Sequence, residues 1–227
     1  MHTDISRYST ADLLQLSRAE DCDDLAFRAL CAVFKRWDGG IDLSLLIDLI
    51  DSEVVSDRLR ASYYLYEVSP RFDSVKDAVL KLADDVLAGC RRAFVGYLVN
   101  SGWYDDTAAE GLVNCLHDSD LDVRLKAIKW AILTTDERFE DVSRRVVADF
   151  DMPCNNPWTQ RYKKRGLAAL TIARRVRSGE SVAEVRTTTP GEDSFSFEYL
   201  EAFEGHSQRR RTRRLNRRSP PSAPEAG

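Results

Sequence analysis

Hydrolytic and metal chemistry is built from histidine, cysteine and paired acids, and in this 227-residue chain those side chains are scattered. Of three histidines, His2 and His206 sit in terminal stretches and only His117 lies in the body, so no His pair at metal-ligand spacing exists. The five cysteines, Cys22, Cys31, Cys90, Cys115 and Cys154, are odd in number, widely spaced and free of Cys-x-x-Cys. That pattern suits reduced, mostly buried thiols better than a disulfide frame or a zinc site. The acid pairs Asp84/Asp85 and Asp105/Asp106 read as solvated turns, and the Gly-rich phosphate loops and the Gly-x-Ser-x-Gly elbow are missing. The expectation is a protein with no catalytic residue, no metal and no cofactor.

The remaining chemistry is recognition by cations and aromatic rings. Arg28, Arg60, Arg92, Lys126 and Arg165 each stand directly before Ala or Gly, in AFRAL at 26, RLRAS at 58, CRRAF at 90, RLKAI at 124 and KKRGL at 163. These segments start 32, 32, 34 and 39 residues apart. The cations either pair with an acid at a neighbouring helix start, such as Asp57 or Asp122, or form a stripe along stacked units that meets an acidic partner. Tyr64, Tyr97 and Trp130 follow the small residue at core spacing. Tyr63 and Tyr66 fall off that face, as do Trp103 and Tyr104 in a turn with Asp105 and Asp106. Exposed Tyr and Trp are types enriched in binding hot spots, so these four aromatics and the cations Arg28, Arg60, Arg92 and Lys126 are the predicted contacts to another protein.

A second recognition chemistry sits at the C-terminal end. Residues 1 to 160 carry 18 Lys/Arg against 29 Asp/Glu, a net of −11, whereas residues 161 to 227 carry 15 against 8, a net of +7. Arg209, Arg210, Arg211, Arg213, Arg214, Arg217 and Arg218 crowd one run, and Arg161, Lys163, Lys164 and Arg165 precede them on a helix. Such a surface releases counterions on contact with a polyanion, so nucleic acid is the alternative partner. The run ends in SPPSAPEAG, which has no apolar face to bury, and the tail is predicted to be disordered.

Helices must position these residues. From the small residues Ala29, Ala61, Ala93, Ala127 and Gly166, positions three and four further on are Ala32/Val33, Tyr64/Leu65, Gly96/Tyr97, Trp130/Ala131 and Ala169/Leu170, one buried helix face per unit. Between them lie second apolar sets such as Leu45/Leu46/Leu49/Ile50 and Leu112/Val113/Leu116, so each unit is a helix pair. Ser9 or Thr10, Asp24, Asp42, Asp57 and Asp120 or Asp122 are placed to cap helix starts, and about ten helices are predicted between residues 9 and 178. A repeat of this period marks a solenoid, whose units are stable only when stacked.

The run Asp118-Ser119-Asp120-Leu121-Asp122-Val123-Arg124-Leu125-Lys126-Ala127 resembles the D-x-D-x-x-V-R-x-x-A line that opens the second helix of HEAT-like repeats. Leu59-Arg60-Ala61 and Phe27-Arg28-Ala29 are weaker copies, and the resemblance covers about residues 9 to 178. It implies an all-α fold, a right-handed α-solenoid of about five helix pairs, and a habit of binding partners. HEAT-like alkylpurine DNA glycosylases are similar in length and use Trp and Asp in a cleft, which Trp37, Trp103, Trp130 and Trp158 match by type. The acidic body opposes that reading, because phosphate contacts dominate DNA affinity.

The resulting organisation is an N-terminal extension over 1–8, the solenoid over 9–178, a linker with an acidic-aromatic segment over 179–205, and an Arg/Pro-rich tail over 206–227. The stretch GEDSFSFEYLEAFEG at 191 to 205 reads equally as a cap on the last repeat or as a helix that another protein captures. No run of about 18 apolar residues exists, and the N-terminal stretch lacks the apolar core of a signal peptide, so no membrane contact and a cytoplasmic location are expected. The functional expectation is a non-enzymatic scaffold, adaptor or inhibitor gripping its partner on the second-helix face. A small bacterial inhibitor of the immunity type is one form of it, with an acidic body suited to a basic partner.

Overall fold

Apolar residues three and four apart close into helices, and the computed structural model has eleven α-helices and no strand among the described residues. Those residues are 4–18, 24–67, 72–151 and 157–188, with the side chains of 24, 67 and 157–163 outside the description. The helices are α1 (Thr10–Leu16), α2 (Asp24–Asp38), α3 (Leu43–Ile50), α4 (Val55–Glu67), α5 (Lys76–Lys81), α6 (Ala88–Ser101), α7 (Asp106–His117), α8 (Leu121–Leu133), α9 (Asp136–Asp151), α10 (Pro157–Ser178) and α11 (Val182–Thr187). Short 3-10 turns, Asp73–Val75 and Leu82–Asp84, flank α5. Helix α11 occupies part of the stretch read from the sequence as linker, and a capping box built by Ser181 and Glu184 starts it.

Two predicted caps form as capping chemistry requires. The Ser9 hydroxyl accepts from the Asp12 amide at 3.1 Å, and Asp12 answers the Ser9 amide at 3.2 Å. Asp120 accepts from the Val123 amide at 3.1 Å and starts α8. Two others take different work. Asp42 precedes α3 in the left-handed region, φ 54°, without a side-chain cap, and its carboxylate accepts from the Thr10 hydroxyl instead. Asp57 lies inside the first turn of α4, where the helix dipole favours an acid, and pairs with Arg18 at 2.7 Å.

The chain divides into two compact units, Met1–Leu112 and Val113–Gly227. In the first, α1 packs on α2, α3 on α4 and α5 on α6, while α4 also packs on α6. Helices α2 and α4 are joined by rings, with Trp37 4.8 Å and Phe34 5.0 Å from Tyr64 between centroids. Helices α2, α4 and α6 thus form one layer and α1, α3 and α5 another. The small residues predicted at this contact, Ala29, Ala61 and Ala93, are all buried, as are Tyr64 and Tyr97. Each such ring contributes about 1.5–3 kcal/mol by leaving water, and aromatic pairing adds about 0.5–1.5 kcal/mol.

In the second unit α8, α9 and α11 all pack on α10. Val123, Ala127, Trp130 and Ala131 of α8, Phe139, Val142 and Val146 of α9, Ala169, Leu170, Ala173 and Val176 of α10 and Val182 and Val185 of α11 make its core. Gly166 supplies a seat, since a Cβ there would stand 2.3 Å from the His117 ring. Arg177 donates to the carbonyls of Ala131 and Thr134, both at 2.8 Å, and so fastens α10 to the end of α8.

One local arrangement occurs three times at intervals of 33 residues. Ser52, Asp85 and Asp118 each accept, through the side chain, the amide two residues on, at 3.1, 2.8 and 2.8 Å. Six residues later an arginine in the first turn of the following helix donates back to the same residue's carbonyl: Arg58 at 2.9 Å, Arg91 at 2.7 Å and Arg124 at 2.7 Å. Arg58 and Arg124 also reach the next carbonyl, of Glu53 at 3.1 Å and Ser119 at 3.0 Å. A planar, permanently charged fork suits a cluster of loop carbonyls, and it fixes the angle at which each turn enters its helix.

Candidate protein-binding groove

Helix α4 has two apolar sides. Ala61, Tyr64 and Leu65 close the core, whereas Val55, Leu59 and Tyr63, spaced four apart, stay 48%, 43% and 54% exposed. Beside this stripe, between α4 and α6, runs a groove of about 250 Å³ lined by Leu59, Ser62, Tyr63, Tyr66, Gly89 and Arg92. Gly89 keeps it open, because a Cβ there would lie 3.3 Å from Leu59 Cδ2. The Arg92 guanidinium lies 5.1 Å from the Tyr66 ring centroid, a cation–π distance. Next to Arg91 at the start of α6 the Cys90 thiol is buried, and burial pushes its pKa up. On α2, Phe27 is exposed and Phe34 touches the Tyr63 ring at 5.9 Å, which extends the apolar surface across the layer.

Of the predicted contact residues, the fold brings Tyr63, Tyr66 and Arg92 together. Arg28 is half-buried on α2, and Arg60 stands 3.5 Å from Asp57 in its own helix. Lys126 is buried, 8% exposed, in the second unit. Trp103 and Tyr104 are half-buried in the turn before α7. The Trp103 indole donates to Asp105 at 2.7 Å, its ring meets Tyr97 edge-on at 6.1 Å, and Lys76 lies above it at 5.7 Å. Burial pushes the Asp105 carboxyl up, but donation from the Ala108 amide, Thr107 and Trp103 outweighs it and holds the group below its usual range. That turn is built to start α7. Lys164 is exposed and Arg165 half-buried on α10. The side chains of Arg161 and Lys163, residues 191–205, and Arg209, Arg210, Arg211, Arg213, Arg214, Arg217 and Arg218 lie outside the described residues, as do His2, His206, Cys22 and Cys154.

The sequence reading missed Leu59 and Gly89. Their signal was an apolar line, Val55, Leu59 and Tyr63, on a helix whose other face already filled the core.

Other chemistry is sparse. His117 Nε2 stands 3.3 Å from the Asp149 carboxylate across α7 and α9. Trp37 and Trp130 are core residues, 1% and 3% exposed. A shallow depression of about 350 Å³ beside α9 and α10 mixes Glu140 and Asp151 with Arg144 and Arg174. Among the described residues no three His, Cys, Asp or Glu side chains are placed to hold a metal ion, and no helix is long and apolar enough to cross a membrane. Compared with protein-family models, with curated proteins and with solved structures, the chain matches none at a significant level.

Proposed function

We propose that this chain is a protein-binding scaffold, an adaptor or inhibitor without catalytic activity of its own, acting in the cytoplasm. Its partner is held on the outer face of α4 and α6. The observation that carries the reading is the groove in which Tyr63, Tyr66 and Arg92, types enriched in binding hot spots, meet the exposed Leu59 around an open floor at Gly89. The architecture belonging to this reading is a right-handed HEAT-like solenoid. In its support stand the turn-and-arginine arrangement recurring every 33 residues and the opening line at Asp118–Ala127. A small bacterial inhibitor of the immunity type is one concrete form.

The test is comparative capture from the native cell, with the full chain, a Leu59→Lys/Tyr63→Lys variant and a chain lacking residues 206–227 as baits. The reading predicts a partner enriched by the full chain and by the shortened chain and lost from the groove variant, whose helicity stays that of the parent. A partner kept by the groove variant removes the reading.

Nucleic-acid binding through the C-terminal end is the second reading, favoured by one observation: α10 holds seven Lys/Arg and no acid. Among the described residues Arg175 pairs with Glu180, Arg177 pairs with Asp136, and Arg174 lies over the Phe139 ring at 5.6 Å, so part of that charge is engaged internally. This reading predicts binding that collapses as salt rises and that disappears with residues 206–227.

A further inference from the structure

We infer that the depression beside α9 and α10 binds a short peptide, three or four residues long, by its two free ends: the carboxylate at Arg174, beside the Ser143 hydroxyl, and the ammonium at Asp151. The site lies within the second unit and does not depend on the protein-binding reading above.

Ser143 marks the place. It lines the depression, is 3% exposed, and its buried hydroxyl has no hydrogen-bond partner among the described residues. It lacks even the bond one turn back that Thr171 makes to the Leu167 carbonyl on α10. A buried hydroxyl left without a partner is a standing cost to the free chain, and a ligand oxygen that accepts from it removes that cost.

Charge sets the two ends. Of the four charged residues lining the depression, two are offset within the fold. Arg144 donates to Asp141 at 3.1 Å, and Glu140 stands near the half-buried Arg177, whose charge burial opposes and Glu140 favours. Arg174 and Asp151 remain. Arg174 lies over the Phe139 ring at 5.6 Å, a contact that engages the guanidinium without neutralising it, and no carboxylate pairs with it among the described residues. Asp151, the last residue of α9, is exposed and likewise unpaired among them, at a helix end whose dipole favours a cation. The two are of opposite sign. A polyanion would meet Glu140 and Asp151 as like charges, whereas a ligand with one charge of each sign is matched at both ends.

Spacing selects the length. Phe139 and Ser143 are one turn apart, so Arg174 stands toward the start of α9, and from Ser143 to Asp151 the helix rises about 12 Å at about 1.5 Å per residue. A free amino acid is too short for that interval. Three or four extended residues span at most about 10–14 Å at about 3.3–3.6 Å each, which reaches both ends with a hydrogen bond at either. Between the charges Val147, 45% exposed, and Ala148 offer an apolar bed to the peptide's side chains. The volume, about 350 Å³, falls at the small end of ligand sites, about 300–1,000 Å³.

The experiment titrates the full chain with the tripeptide Ala-Leu-Ala, unmodified, N-acetylated or C-amidated, by isothermal titration calorimetry at physiological salt. The unmodified peptide is expected to bind at least about tenfold tighter than either blocked form, since each block deletes one charged contact. Arg174→Gln should erase the distinction between the unmodified and amidated peptides and keep that between the unmodified and acetylated ones. Asp151→Asn should do the reverse, a crossed pattern that loss of folding would not produce. Ser143→Ala should weaken binding of the unmodified peptide while the urea midpoint of the free chain holds or rises.

No binding of the unmodified peptide at millimolar concentration, equal binding of all three, an acetylated peptide as tight as the unmodified one, distinctions that survive both charge variants, or undiminished binding in Ser143→Ala overturns the inference. None of these outcomes bears on the groove between α4 and α6, which capture of the partner tests separately.

Discussion

Two buried tyrosines with similar surroundings make opposite demands on their hydroxyls. Tyr97 donates to the Phe72 carbonyl at 3.1 Å, while the buried Tyr64 hydroxyl finds no partner among the described residues. Burial, with Asp73 nearby, pushes Tyr97 up to about 12, and burial with Asp38 pushes Tyr64 higher still. Tyr64→Phe should therefore be neutral or stabilising, and Tyr97→Phe should cost about 1 kcal/mol, read by urea unfolding. The sign of the pH effect follows from the same shifts. Each folded pKa lies above the unfolded value near 10, so the folded state holds protons the unfolded chain has released, and stability falls as pH rises from about 10 toward 12. The double Phe variant should lose most of that alkaline decline. A Tyr64→Phe loss as large as that of Tyr97→Phe would show that the Tyr64 hydroxyl is engaged after all.

At the scale of elements, the turns before α4, α6 and α8 depend on one arginine each. Arg124→Ala strips the charged donor from the carbonyls of Asp118 and Ser119 and should cost about 1.5–3 kcal/mol, with Arg124→Lys between it and the parent because an ammonium lacks the planar fork. Chemical denaturation checks both, and a loss within about 0.5 kcal/mol would mark the contact as surface decoration.

The same elements show what could be read ahead of the structure. Helix pairs were legible because Ala61, Tyr64 and Leu65, or Ala127, Trp130 and Ala131, set a 3.6-residue rhythm that only a helix can bury on one side. The register of the cations was not. The cation before each small residue looked like the repeating feature, yet the side chains that repeat in role are Arg58, Arg91 and Arg124, one or two places earlier. The small residue slides by one between α4 and α6, while the turn carbonyls that the arginine must reach do not. Tyr63 and Tyr66 were legible as residues off the core face. Their meeting with Arg92 was not, because it depends on how closely α6 approaches α4, and at Gly96 that approach is close enough to put an added Cβ 3.9 Å from the Tyr66 Cα.

For the molecule as a whole, the central claim is that a partner protein is gripped at the groove between α4 and α6, and the basic C-terminal end is the rival address. Both lie in one chain of formal net charge −4, so the place of contact, more than the fact of binding, separates them. Hydrogen–deuterium exchange of the full chain with and without its captured partner reads that place directly. The account predicts added protection of amides in α4 and the first turns of α6, about residues 55–66 and 88–95, with exchange over residues 206–227 unchanged. Protection confined to α10 and residues 206–227, with α4 and α6 exchanging as in the free chain, would contradict it.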